Sequence, residues 1–137
     1  MPRNRSRSGG VSGTEWDRVF TALAAEPRRQ LVFSLVDAQP RQAVSLPEAA
    51  VSPASGTDLD ALRAHLVHRH LPLLADGGFV QWDREPFHAR RGPRFQDVAA
   101  VIEALTGNPE PIPNHLVDAC PQLQSYGSSR NDGRKER

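Results

Sequence analysis

Apolar residues recur along the chain first at helical and then at strand spacing. Trp16, Val19, Phe20 and Leu23 form one stripe on a helix, with Thr14 and Asp17 placed as a capping box at its start. Pro27 suits the first turn of a second helix, where a missing N–H has no intrahelical acceptor to lose, and Leu31, Val32, Leu35 and Val36 give that helix its buried face. Residues 39–44 read as a connection containing Pro40. Ser45 and Glu48 then form a second capping pair, leading into a short helix with Leu46, Ala49, Ala50 and Val51. Residues 52–57 make a turn. Thr57 is placed to cap a longer helix, with Asp58 and Asp60 in its first turn, where carboxylates meet the positive end of the dipole. Leu59, Leu62, Leu66, His70, Leu73 and Leu74 follow at helical spacing until Gly77 and Gly78 stop the run. Pro72 lies inside that helix and removes the bond from its nitrogen to the His68 carbonyl, so the spacing predicts a bend between Val67 and Leu71.

After the glycines the period drops to two. Residues 79–83 read as a strand, Arg84, Glu85 and Pro86 as a turn, and 87–90 as the returning strand. Phe95, Val98, Val101, Ile102 and Leu105 mark a last helix. Beyond Gly107 come Pro109, Pro111 and Pro113 and no periodicity, so 108–137 is expected to be a Pro-rich, largely disordered tail. A short helix, a turn, a long helix and then a β-hairpin is the winged-helix arrangement. The expected fold is mainly α with a small β-hairpin, a winged helix-turn-helix over 14–107, preceded by a disordered basic arm over 1–13.

Two segments resemble known sequences. Glu26-Pro27-Arg28-Arg29-Gln30-Leu31-Val32-Phe33-Ser34-Leu35-Val36 resembles the D-P-x-R-x-x-I-L-x-L-L helix of ArsR-type repressors. Arg69-His70-Leu71-Pro72-Leu73-Leu74-Ala75-Asp76-Gly77-Gly78-Phe79-Val80 resembles the R-H-L-x-x-L-x-x-A-G-L-V that ends their recognition helix and opens their wing. More narrowly, the stretch from His68 to Asp76 is similar to the H-x-H-L-P-x-L-A-D of an uncharacterised winged-helix family of halophilic archaea. The resemblance covers about Asp17 to Leu105. It implies a DNA-binding transcriptional regulator that pairs as a homodimer through its first and last helices.

Charge and composition sharpen the picture. The 137 residues make one domain with a modest core, and no apolar run is long enough to span a bilayer. Arg3, Arg5 and Arg7 give the arm a charge of +3, residues 14–106 carry −2, and the remainder is neutral. No large basic field covers the domain, so contact with nucleic acid has to come from local arginine clusters. Cys120 is the single cysteine, which leaves no internal disulfide and makes a reducing cytoplasmic setting the expectation.

Candidate contacts lie on the long helix and the hairpin. On a helical wheel Arg63, His65, His68 and Arg69 stand away from the leucine stripe, where an arginine can bond guanine in a major groove. Arg84, Arg90, Arg91 and Arg94 on and beside the hairpin suit phosphate or minor-groove contact. His65, His68 and His70 do not converge with a carboxylate as zinc requires. His70 reads as a core residue bonded to a backbone carbonyl, and no metal or cofactor is expected. No phosphate loop, paired carboxylates or nucleophile with a base is visible, so the sequence reads as no enzyme. Two function classes stay open: a regulator bound to double-stranded DNA, and a winged-helix protein-interaction module, favoured by the slightly acidic core and by Asp58 and Asp60.

Overall fold

The computed structural model describes residues 13–52, 56 and 58–123, and the basic arm lies outside them except for Gly13. Helix α1 covers 13–22, so Thr14 sits within the helix and not at its cap. Helix α2 (Glu26–Asp37) has Pro27 in its first turn, as expected, and buries Leu31, Val32 and Leu35 together with Arg28.

The connection that follows departs from the sequence reading. Val44–Ser45 form strand β1, and Leu46 extends the pairing by donating its N–H to the Phe87 carbonyl at 3.0 Å. Val44 and Leu46 turn toward the core while Ser45 faces outward, which is strand parity. Ser45 therefore caps nothing, and the expected short helix is a single 3-10 turn, Glu48–Ala50.

The long helix is three segments run together. Helix α3 (Leu59–His65) is capped by Asp58, whose carboxylate accepts from the N–H groups of Asp60 (3.0 Å) and Ala61 (3.2 Å); Thr57, the expected cap, lies outside the described residues. A π-helical stretch, Leu66–His70, leads directly into α4 (Leu71–Asp76). Pro72 is the cause. Its ring crowds the carbonyl four residues back and its nitrogen carries no proton, and a widened turn relieves both. The Leu71 N–H bonds the Leu66 carbonyl, five residues back. One extra residue in that turn rotates all that follows by about 100°. The buried face accordingly runs Leu62, Leu66, His70, Leu71 and Leu74, with Leu73 half-buried and Leu59 exposed.

Gly78 closes the helix at φ +80, a conformation that side chains resist. Strands β2 (Val80–Arg84) and β3 (Phe87–Arg91) pair antiparallel from Val80↔Arg91 to Arg84↔Phe87. Strand β1 pairs on the other edge of β3, giving the order β1-β3-β2. The third strand matters because an isolated hairpin is marginal in water. Where the chain leaves β3, a Cβ on Gly92 would stand 2.5 Å from the Gly78 carbonyl oxygen, so only glycine fits that crossing.

Helix α5 (Phe95–Gly107) buries Phe95, Val98, Ala99, Ile102 and Thr106. Thr106 takes the inward position that the spacing gave to Leu105, and its hydroxyl is satisfied by the Ile102 carbonyl at 2.9 Å. Leu31, Val32, Leu35, Leu66, Leu71, Leu74, Val80 and Val98 are the largest fully enclosed apolar side chains around which these elements close.

The tail needs correction over its described part. Helix α6 (Asn114–Asp118) and a helical turn at 121–123 follow the prolines, and Gln122 and Leu123 are buried. Gln122 donates to the Gln30 side chain at 2.7 Å, tying the segment to α2. The described chain is thus a mainly helical small domain with a three-stranded antiparallel sheet, and none of its helices is long and apolar enough to cross a membrane.

Candidate nucleic-acid interface

Strand parity sorts the hairpin arginines. Residues opposite each other in an antiparallel pair share a face, so Val80, Arg91, Trp82, Ala89, Arg84 and Phe87 lie on one side of the hairpin and Gln81, Arg90, Asp83 and His88 on the other. Val80, Ala89 and Phe87 are buried in the core, which makes the first face the inner one. Arg90 points outward, where its Nε donates to Gln81 at 3.1 Å. Asp83 and His88 form a cross-strand pair at 3.4 Å beside it.

Arg91 points inward and is committed to α2. Its Nε and Nη2 donate to the Leu35 carbonyl at 3.2 and 2.9 Å, and Nη2 also reaches Ala38 at 3.1 Å. These carbonyls lie at the C-terminal end of α2, where i+4 donors run out and Leu35 otherwise accepts from the Ala38 N–H at 3.3 Å, and the cation suits the negative pole of the dipole. The guanidinium also lies over the Phe95 ring at 4.9 Å. Arg94 pairs with Glu15 of α1 at 2.8 Å and with Asp97 at 3.4 Å, and these carboxylates raise its pKa. It stands at the foot of α5 and not on the hairpin. Of the four arginines expected around the hairpin, Arg84 at the inner face of the turn and Arg90 on the outer face remain exposed without a carboxylate partner among the described residues.

On the long helix, His65, His68 and Arg69 are exposed, as the wheel predicts. Arg63 is exposed too, with its guanidinium 4.3 Å from the centre of the Phe87 ring. The helix and the hairpin end therefore meet at that contact. Trp82 packs against Phe87 edge-on at 6.4 Å and against the core.

His70 is buried as expected, but its partner is Arg28 and not a backbone carbonyl. Arg28 Nη1 donates to His70 Nδ1 at 2.8 Å, which leaves the imidazole proton on Nε2. Arg28 Nε donates to the Ala22 carbonyl at 3.0 Å and Nη2 to Thr21 at 2.8 Å, closing the end of α1. Arg29 completes that end through Leu23 at 2.8 Å. Burial lowers the His70 pKa to about 4, aided by the charges of Arg28, Arg69 and His65, and burial likewise lowers that of Arg28. The paired arginines of the Glu26-Pro27-Arg28-Arg29 segment are thus the clasp between α1, α2 and the long helix, a role the sequence reading did not assign. Among the described residues no three His, Cys, Asp or Glu side chains come together as a metal site would need.

One more surface stands out. Trp16 and Phe20 stack at 5.4 Å on α1 and remain 51% and 60% exposed. Beside them a groove of about 350 Å³ runs between α1 and α5, lined by Glu15, Trp16, Val19, Gln96, Asp97, Ala100 and Val101. Compared with known proteins, the chain matches no family model, no curated protein and no solved structure.

Proposed function

We propose that the protein is a DNA-binding transcriptional regulator of winged helix-turn-helix type, similar to ArsR-type repressors. The observation that carries this reading is the exposed face of His65, His68 and Arg69 on the long helix, with a hairpin packed beside that helix that leaves Arg84 and Arg90 exposed. The order α2, β1, 3-10 turn, long helix, β2, β3, with β3 central in the sheet, supports the winged-helix topology. In such a domain the long helix enters the major groove and the hairpin is the wing. Arg69 with His65 and His68 would meet base edges, and Arg84 and Arg90 phosphates. Asp58 does not argue against this face, because it has a structural duty as the helix cap.

The exposed Trp16–Phe20 pair and the groove against α5 support a homodimer closed across a two-fold axis. Two long helices would then address successive major grooves about one helical turn apart. The same apolar groove also favours the second reading, an interaction module that receives a different protein.

Two measurements on the full chain separate them. Titration of a labelled random duplex at two salt concentrations should give binding that weakens steeply with salt, because arginine–phosphate contacts release counterions. Sedimentation at micromolar concentration should give a dimer. A monomer that binds no duplex at low salt would favour the interaction module.

A further inference from the structure

Arg63 is an obvious DNA ligand by position: a cation on the exposed side of the helix proposed to enter the groove. Its surroundings suggest another task. The guanidinium carbon sits 4.3 Å above the centre of the Phe87 ring, within the range where a cation is held by the negative face of an aromatic. Phe87 is the first residue of β3 and pairs with Arg84 across the turn. It is buried, its ring meets Trp82 edge-on at 6.4 Å, and its carbonyl accepts the bond that extends β1. Phe87 therefore ties the turn end of the hairpin to Trp82 and the core through its ring and to β1 through its carbonyl. Arg63 of the long helix meets that ring from the exposed side.

We infer that Arg63 is a positioning residue that pins the hairpin to the long helix through Phe87, and that it acts on DNA through the hairpin and not by its own contact. This rests on the regulator reading for its consequence but not for its geometry. Arg84 shares the inner face with Phe87, so the angle of the turn to the long helix sets where its guanidinium is presented. Without the Arg63 contact the turn keeps its strand pairing and loses its fixed angle to the helix.

The test uses amide hydrogen exchange on the full chain carrying Arg63→Gln, Arg63→Lys, Phe87→Leu, or Arg63→Gln with Phe87→Leu. Arg63→Gln should speed exchange in the hairpin residues 82–89 by about three-fold or more, with α2 and α5 unchanged. Arg63→Lys should restore part of the protection, since an ammonium also binds a ring face. In the Phe87→Leu background, which keeps an apolar side chain in the core, Arg63→Gln should add nothing. On a labelled random duplex the affinity losses from Arg63→Gln and Phe87→Leu should coincide and not multiply. Unchanged hairpin exchange in Arg63→Gln, or losses that multiply in the double variant, would overturn the inference. A wild-type chain that binds no duplex would overturn the regulator reading alone, and the exchange data would still decide the coupling.

Discussion

Two regions of the molecule use arginine in opposite ways. Where α1, α2 and the inner face of the hairpin meet, Arg28, Arg29 and Arg91 turn inward and donate to carbonyls at helix ends. Away from that junction, Arg69, Arg84 and Arg90 stand exposed, Arg84 at the turn end of the hairpin's inner face. The residue type is the same and the net charge of the two groups is the same. What differs is the supply of acceptors: a helix that ends against a neighbour leaves carbonyls without donors, and a guanidinium with five N–H groups can satisfy several at once. Arg90 and Arg91 divide the two roles at adjacent positions, because a strand sends neighbours to opposite faces.

The largest effect should come from breaking the inward group at its centre. Arg28→Met takes the donor from the buried Ala22 carbonyl and His70 Nδ1, while the Thr21 carbonyl keeps its bond from the Ala24 N–H at 3.2 Å, and should cost about 3 kcal/mol in chemical denaturation. A loss below about 1 kcal/mol would mean that the clasp contributes little.

The acid limb should be nearly as large. His70 titrates at about 4 in the fold because burial, and then the charges around it, disfavour the imidazolium. In the unfolded chain it titrates near 6.5, so between these values the unfolded state binds more protons than the folded one. The contribution of His70 is whole above about pH 6.5 and is lost as pH falls toward about 4, up to about 3 kcal/mol in all. His70→Asn keeps an acceptor for Arg28 without a titrating ring. Its urea midpoint should therefore lose this part of the pH dependence, and an unchanged profile would place the dependence elsewhere.

The sharpest contrast is the smallest in energy. Arg91→Ala releases the Leu35 and Ala38 carbonyls and should cost about 2 kcal/mol, whereas Arg90→Ala, one residue away, should stay within about 0.5 kcal/mol. Equal losses from the two would dissolve the distinction between the faces.

Much of the architecture was legible from periodicity, and the failures have local causes. Helices and hairpin carry enough residues for a period to show. Strand β1 has two residues, and its partners Ala89 and His88 lie far along the chain, so no window of sequence reveals the pairing. Pro72 marked the place where the long helix is disturbed, but a kink and an inserted residue look alike in sequence, and only the burial of Leu71 and Leu74 tells them apart. The separation of Arg90 from Arg91 was readable: Phe87 and Ala89 alternate with His88 and Arg90, which puts Arg91 on the core side. The roles of Arg28 and Arg29 were not, since their acceptors belong to the end of another helix. The prolines after Gly107 hid a segment whose anchors, Gln122 and Leu123, follow no repeat.

Central to the proposed function is that the outward group meets phosphate and base while the inward group holds the fold. Its most direct test is the salt dependence of duplex binding by the full chain and by Arg69→Ala, Arg84→Ala and Arg91→Gln, measured at a temperature where all are folded. Arg84→Ala, which loses a phosphate contact, should weaken binding and flatten the slope of log affinity against log salt by about 1; Arg69→Ala, which loses a base contact, should weaken binding with little change of slope; and Arg91→Gln should leave the slope of the parent chain. A slope lost with Arg91 and kept without Arg84, an affinity unchanged without Arg69, or a wild-type chain with no affinity for duplex at low salt, would contradict it.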